Sequence, residues 1–134
     1  MREIPESLAR LVWELGEALS SDPYGKGLAA LASLRALHES YLSAGRPDPF
    51  LTEALADRVS DPHEAIRLYE SAIEQCAQFP GEPIHTKRRD MAERLRRIGE
   101  IERARAQLEL AIIDAKRAGE LEEARQLAQL LQSY

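Results

Sequence analysis

Residues 97–105 read RIGEIERAR, and residues 117–125 read RAGELEEAR. Six of the nine positions are identical, and Ile101 is matched by Leu121. Both stretches have the parts of a helix–turn–helix join. Glycine can close one helix in a left-handed turn, and the acidic residue after it suits the positive N-terminus of the next. The following Ile or Leu and Ala are spaced to turn inward. The segment between the two glycines, 100–118, is therefore expected to be a helix with a hairpin partner on each side. Its pattern has two apolar rows. One is Ile101, Ala104, Leu108, Ala111, Ile112 and Ala115, and the other is Ala106, Leu110 and Ile113. A helix apolar on two sides is expected to be sandwiched.

Working outward, the same grammar recurs and no strand pattern interrupts it. A helix is expected over about 5–20, with Leu8, Leu11, Val12, Leu15 and Leu19 on one face at spacings of three and four. Asp22-Pro23, Asp48-Pro49 and Asp61-Pro62 each combine an N-capping side chain with proline at the first helical position. They predict helices running to about 42, 59 and 78. Leu28, Leu31, Leu34 or Ala32, Leu37 and Tyr41 are expected to point inward from the second, and Ala65, Ile66, Tyr69, Ala72, Ile73 and Cys76 from the fourth. FPGEP (79–83) breaks the chain. A fifth helix follows to about 98, with Ile84, Met91, Leu95 and Ile98 inward. The last, about 120–132, carries Leu121, Ala124, Leu127, Ala128 and Leu131. The expected fold is all-α: one domain over 1–134, about seven helices, with hairpins near 5–43, 49–78 and 84–118 and a terminal helix. Short connections make sequential helices antiparallel.

A longer period underlies this order. Ser21-Asp22-Pro23 recurs as Ser60-Asp61-Pro62, an offset of 39, which also aligns Leu34 with Ile73 and Ile112, and Ser33 with Ala72 and Ala111. The third unit, with Met91-Ala92, Leu95, Gly99-Glu100-Ile101, Ala104, Leu108 and Ala111-Ile112, resembles a tetratricopeptide repeat. The second unit matches in Asp61, Ala65-Ile66, Tyr69 and Ala72-Ile73. The resemblance implies a right-handed solenoid of stacked hairpins with a C-terminal capping helix, whose first helices line a concave groove. It departs from the family in its period of 39 rather than 34 and in its late loop proline.

Composition narrows the function. The net charge is −5, distributed as −7 over 1–86, +4 over 87–105 and −2 over 106–134. A local basic segment in an acidic chain without interleaved aromatics does not suit nucleic acid. No run of apolar residues approaches a membrane span. A single cysteine, Cys76, and no leader pattern lead to a cytoplasmic expectation. His38, His63 and His85 have neither metal-ligand spacing nor a nearby cysteine, and no nucleophile, paired-acid or phosphate-loop pattern is present. No cofactor, metal or catalytic residue is assigned.

The expectation is a non-enzymatic module for a protein or peptide partner, serving as an adaptor, chaperone or immunity-type inhibitor. By the resemblance, Arg89, Glu93, Arg96 and Arg97 face the groove. Arginine there suits an acidic segment or a carboxylate, which its guanidinium can grip with two bonds. The same residues also make ordinary helix-surface pairs: Asp90 with Arg94, and Glu93 with Arg96 or Arg97. Trp13 and Tyr134 are candidate anchors, with packing against the second helix as the alternative for Trp13. The other reading is a self-assembling repeat unit that docks through its C-terminal helix.

Overall fold

The computed structural model describes residues 2–134, and among them there are seven α-helices and no strand. They are α1 (Glu6–Ser21), α2 (Lys26–Ser43), α3 (Pro49–Arg58), α4 (Pro62–Gln75), α5 (His85–Arg97), α6 (Ile101–Arg117) and α7 (Leu121–Gln132). One 3-10 turn, Cys76–Gln78, extends α4.

The two opening stretches close helices in the same way. Gly99 and Gly119 sit at φ of 83° and 77°. At the first, Gly99 N–H bonds Arg96 O at 3.0 Å and Glu100 N–H bonds Leu95 O at 2.9 Å. At the second, Gly119 bonds Lys116 O at 3.1 Å and Glu120 bonds Ala115 O at 2.8 Å. These paired bonds satisfy the last carbonyls of α5 and α6 and let the chain reverse within three residues.

The aspartate caps act where the sequence places them, with one shift. Asp48 accepts from Phe50 N at 2.9 Å and Asp61 from His63 N at 3.0 Å, starting α3 and α4. Asp22 instead accepts from Gly25 N and Lys26 N at 3.1 and 3.0 Å, so α2 starts three residues later than Pro23 implies. Gly27 explains the delay. A Cβ there would lie 2.6 Å from Asp22 O and 3.1 Å from Leu19 Cα, so only glycine lets α2 start this close to the end of α1.

Each helix packs against the next in sequence. Bridges also join alternate helices. Lys87 of α5 reaches Glu53 of α3, and His85 of α5 pairs with Glu123 of α7. On the other side Arg35 of α2 forms a two-pronged bridge with Glu64 of α4 (2.7 Å each), and Arg103 of α6 lies 3.7 Å from Glu70 of α4. With α1 also packed on α3, one layer holds α1, α3, α5 and α7, and the other holds α2, α4 and α6. The core lies between them. Ala56, Ala65, Ala72, Ala92, Ala104, Ala111 and Ala115 have no exposed surface, and these small side chains let the helix axes approach around Leu34, Leu51, Tyr69, Leu95 and Leu108.

Several inward assignments are corrected. Ala106, Leu110 and Ile113 are exposed, because α5 and α7 both pack on the single face of α6 that carries Ala104, Leu108, Ala111 and Ala115. Leu28 is 58% exposed and Leu121 68% exposed, each in the first turn of its helix and beyond the reach of the packed layer. Leu11, Ile101 and Ala128 are also exposed. No helix among the described residues is long and apolar enough to cross a membrane.

Candidate functional site

The basic segment is largely neutralised within the fold. Lys87 has no exposed surface; its ammonium donates to Glu53 at 3.0 Å and to Pro83 O at 2.7 Å, with Glu82 at 3.8 Å. Arg88 bonds Asp114 at 2.6 Å and Gln107 at 3.0 Å, joining α5 to α6. Arg94 donates to Asp57 O in the last turn of α3 and to Val59 O just after it, rather than pairing with Asp90. Arg105 donates to the carbonyl oxygen of Tyr134. The basic groups of α5 left facing outward are Arg89, Arg96 and Arg97.

Those three are not bare. Arg89 Nε donates to Asp90 at 3.1 Å. Arg97 bridges to Glu93 at 2.5 Å across one helical turn. Arg96 lies over the ring of Tyr134, 4.5 Å from its centroid. The helix-surface pairing of Glu93 with Arg97 is thus present, and α5 presents paired charges rather than a uniformly positive surface.

Trp13 stands apart from Arg89, Glu93, Arg96 and Arg97, on α1. It is 69% exposed and does not pack under α2. It borders a cleft of about 200 Å³ between α1 and α3, lined also by Val12, Gly16, Phe50 and Arg58. Gly16 makes room for Arg58, whose Nη2 would lie 2.7 Å from a Cβ at that position.

Three carboxylates lie between these two regions. One oxygen each from Glu53, Asp57 and Asp90 falls within 4.8 Å of the others. The Tyr69 hydroxyl donates to Asp57. Burial pushes the Asp57 carboxyl up to about 6; the bond from Tyr69 opposes this, and the charges of Asp90 and Glu53 add to it. Asp90 is pushed up by burial as well, against the pull of Arg89. Hard oxygen donors at this spacing can share a proton or face a cation.

A chain of neighbours therefore crosses one layer. Trp13 and Arg58 share a cleft, and Arg58 lies 3.9 Å from Asp57. Asp57 neighbours Asp90, and Asp90 holds Arg89. Arg89 lines a second cleft of about 230 Å³ with His85, Glu123, Gln126, Leu127 and Leu130, between α5 and α7. The grouping of the three carboxylates and the role of Arg58 do not appear in the sequence, and neither does the contact of Tyr134 with Arg96. Tyr134 was visible as an aromatic, but only the fold brings the end of α7 back onto α5. Lys87 had a local signal: it lies four residues before Met91 and eight before Leu95, on the core stripe. No known protein family, curated protein or solved structure matches the chain.

Proposed function

We propose that this chain is a non-enzymatic, tetratricopeptide-like interaction module that holds a peptide or partner-protein segment across the outer face of α1, α3, α5 and α7. The observation that carries the reading is the continuous strip from Trp13 through Arg58, Asp57, Asp90 and Arg89 to the α5–α7 cleft. Four helices contribute to it, as solenoid-type modules use their surfaces. Trp13 supplies a large exposed ring at one end, the residue type most often central to binding energy. Arg89, Arg96 and Arg97 supply bidentate donors for an acidic stretch at the other. The carboxylates between them disfavour a uniformly acidic ligand, so the acidic part of the segment belongs at the α5 end. A cytoplasmic setting, with Cys76 free and buried, belongs to the same proposal.

Affinity capture from host lysate tests it, with the wild type beside Trp13→Ala and Arg89→Glu/Arg96→Glu. Loss of the same partners from both variants is expected. Retention of all partners by both refutes the reading. The alternative, a self-assembling unit, draws on the exposed apolar residues Leu110, Ile113 and Leu121. Sedimentation at increasing concentration decides it: a monomer throughout removes it.

A further inference from the structure

Tyr134, the last residue of the sequence, lies on the face that the proposed function assigns to recognition. The Arg96 guanidinium sits over its ring. Its carbonyl oxygen accepts from Arg105 Nη1 of α6 at 2.7 Å, and its N–H donates to Leu131 O at 3.2 Å. The ring is partly buried. Burial pushes the phenol's pKa up; Arg96 opposes this, while Glu93 and Asp90 reinforce it. The ring therefore lies against α5 at Arg96. Arg96 is occupied by an aromatic ring from the chain itself, and Arg105 of α6 fixes the backbone that carries that ring.

We propose that Tyr134 is an internal pseudo-ligand, displaced when the partner segment places an aromatic residue of its own on Arg96. This deepens the reading of the face as a recognition surface and rests on it. It also states the ligand's chemistry. The segment carries an aromatic side chain, which a guanidinium attracts through the ring's negative face, beside acidic groups that suit Arg89 and Arg97. An occupant in place nine-tenths of the time weakens binding about tenfold, because only the vacant fraction is competent.

The test uses the full chain and fluorescein-labelled tetrapeptides, Glu-Glu-Glu-Tyr and Glu-Glu-Glu-Ala, followed by fluorescence anisotropy. Tyr134→Ala is expected to bind the tyrosine peptide about tenfold more tightly than the wild type. Tyr134→Phe keeps the ring and is expected to bind as the wild type does. Arg105→Gln leaves the ring but frees its backbone, so it shifts affinity in the same direction as Tyr134→Ala. Adding Arg96→Ala to Tyr134→Ala is expected to remove both the gain and the preference for tyrosine over alanine. If Tyr134→Ala and Arg105→Gln bind no tighter than the wild type while Arg89→Glu/Arg97→Glu weakens both peptides, the pseudo-ligand is overturned and the recognition face stands. If that charge reversal changes nothing, the recognition face fails as well.

Discussion

Replacing Asp57 by asparagine is expected to stabilise the fold at neutral pH and to have no effect in strong acid. Asp57 sits beside Glu53 and Asp90 and under the hydroxyl of Tyr69, and its carboxyl titrates at about 6 instead of the ordinary 3.8. Between those two values the folded chain binds a proton that the unfolded chain has released. The Asp57 contribution is therefore intact below pH 3.8 and is lost as pH rises through about 6. Asparagine keeps the oxygen that accepts from Tyr69 but carries no charge to bury. A displacement of roughly two pKa units corresponds to about 3 kcal/mol. About a third of the Asp57 side chain meets solvent, which screens the repulsion, so about 1–2 kcal/mol is expected above pH 7. Urea unfolding of both proteins between about pH 3.5 and 8 reads this directly. With a slope of about 2 kcal/mol/M, the midpoint of the variant should rise by about 0.5–1 M at high pH. A gain of equal size at pH 3.5, or a loss at pH 7.5, would refute the reasoning.

Gly99→Ala should cost about 1–2 kcal/mol: the space around its Cβ is open, so the penalty is that of a left-handed φ alone, and thermal unfolding measures it. Gly119→Ala should cost a similar amount for the same reason. Lys87→Met should destabilise by about 3–5 kcal/mol, because it strips a fully buried ammonium from Glu53 and Glu82; adding Glu82→Gln should recover part of this in the same urea assay. His38 is buried with Nε2 unpartnered, and burial lowers its pKa below 6.5. Its neutral form is therefore favoured in the fold, and its contribution is intact above the unfolded value and lost as pH falls below it. His38→Leu should flatten the acid limb of the stability curve below about pH 6.5, and parallel limbs for the two proteins would contradict this.

The helices were legible because their signals are local. Asp48, Asp61, Gly99 and Gly119 act within four residues of themselves, through bonds that the chain makes to its own backbone. Asp22 was legible as a cap but not in its register, because the start of α2 depends on how closely Gly27 approaches the end of α1. The apolar rows of α6 show where pattern reading reaches its limit. Periodicity shows which residues share a face, but not that both neighbouring helices would pack on one face and leave Leu110 and Ile113 in solvent. The candidate site was legible only in part. The outward face of α5 follows from its core stripe, so Arg89, Arg96 and Arg97 were found. The local pair of Arg97 with Glu93 was found too, whereas the seat of Arg96 on Tyr134 and the grouping of Asp57 with Asp90 were not, because Tyr134 and Asp57 reach α5 from distant segments of the chain.

Side-chain footprinting of the chain bound to its captured partner decides whether the face of α1, α3, α5 and α7 is the binding surface. Trp13 is read by oxidation and Arg89, Arg96 and Arg97 by an arginine-selective dicarbonyl; on α6, Arg117 read by the same dicarbonyl and Lys116 read by an amine-selective acylating reagent serve as controls on the opposite layer. Trp13 and the α5 arginines are expected to become protected while Lys116 and Arg117 react as in the free protein. Protection confined to α6, with Trp13 and Arg89 still fully reactive, would contradict this.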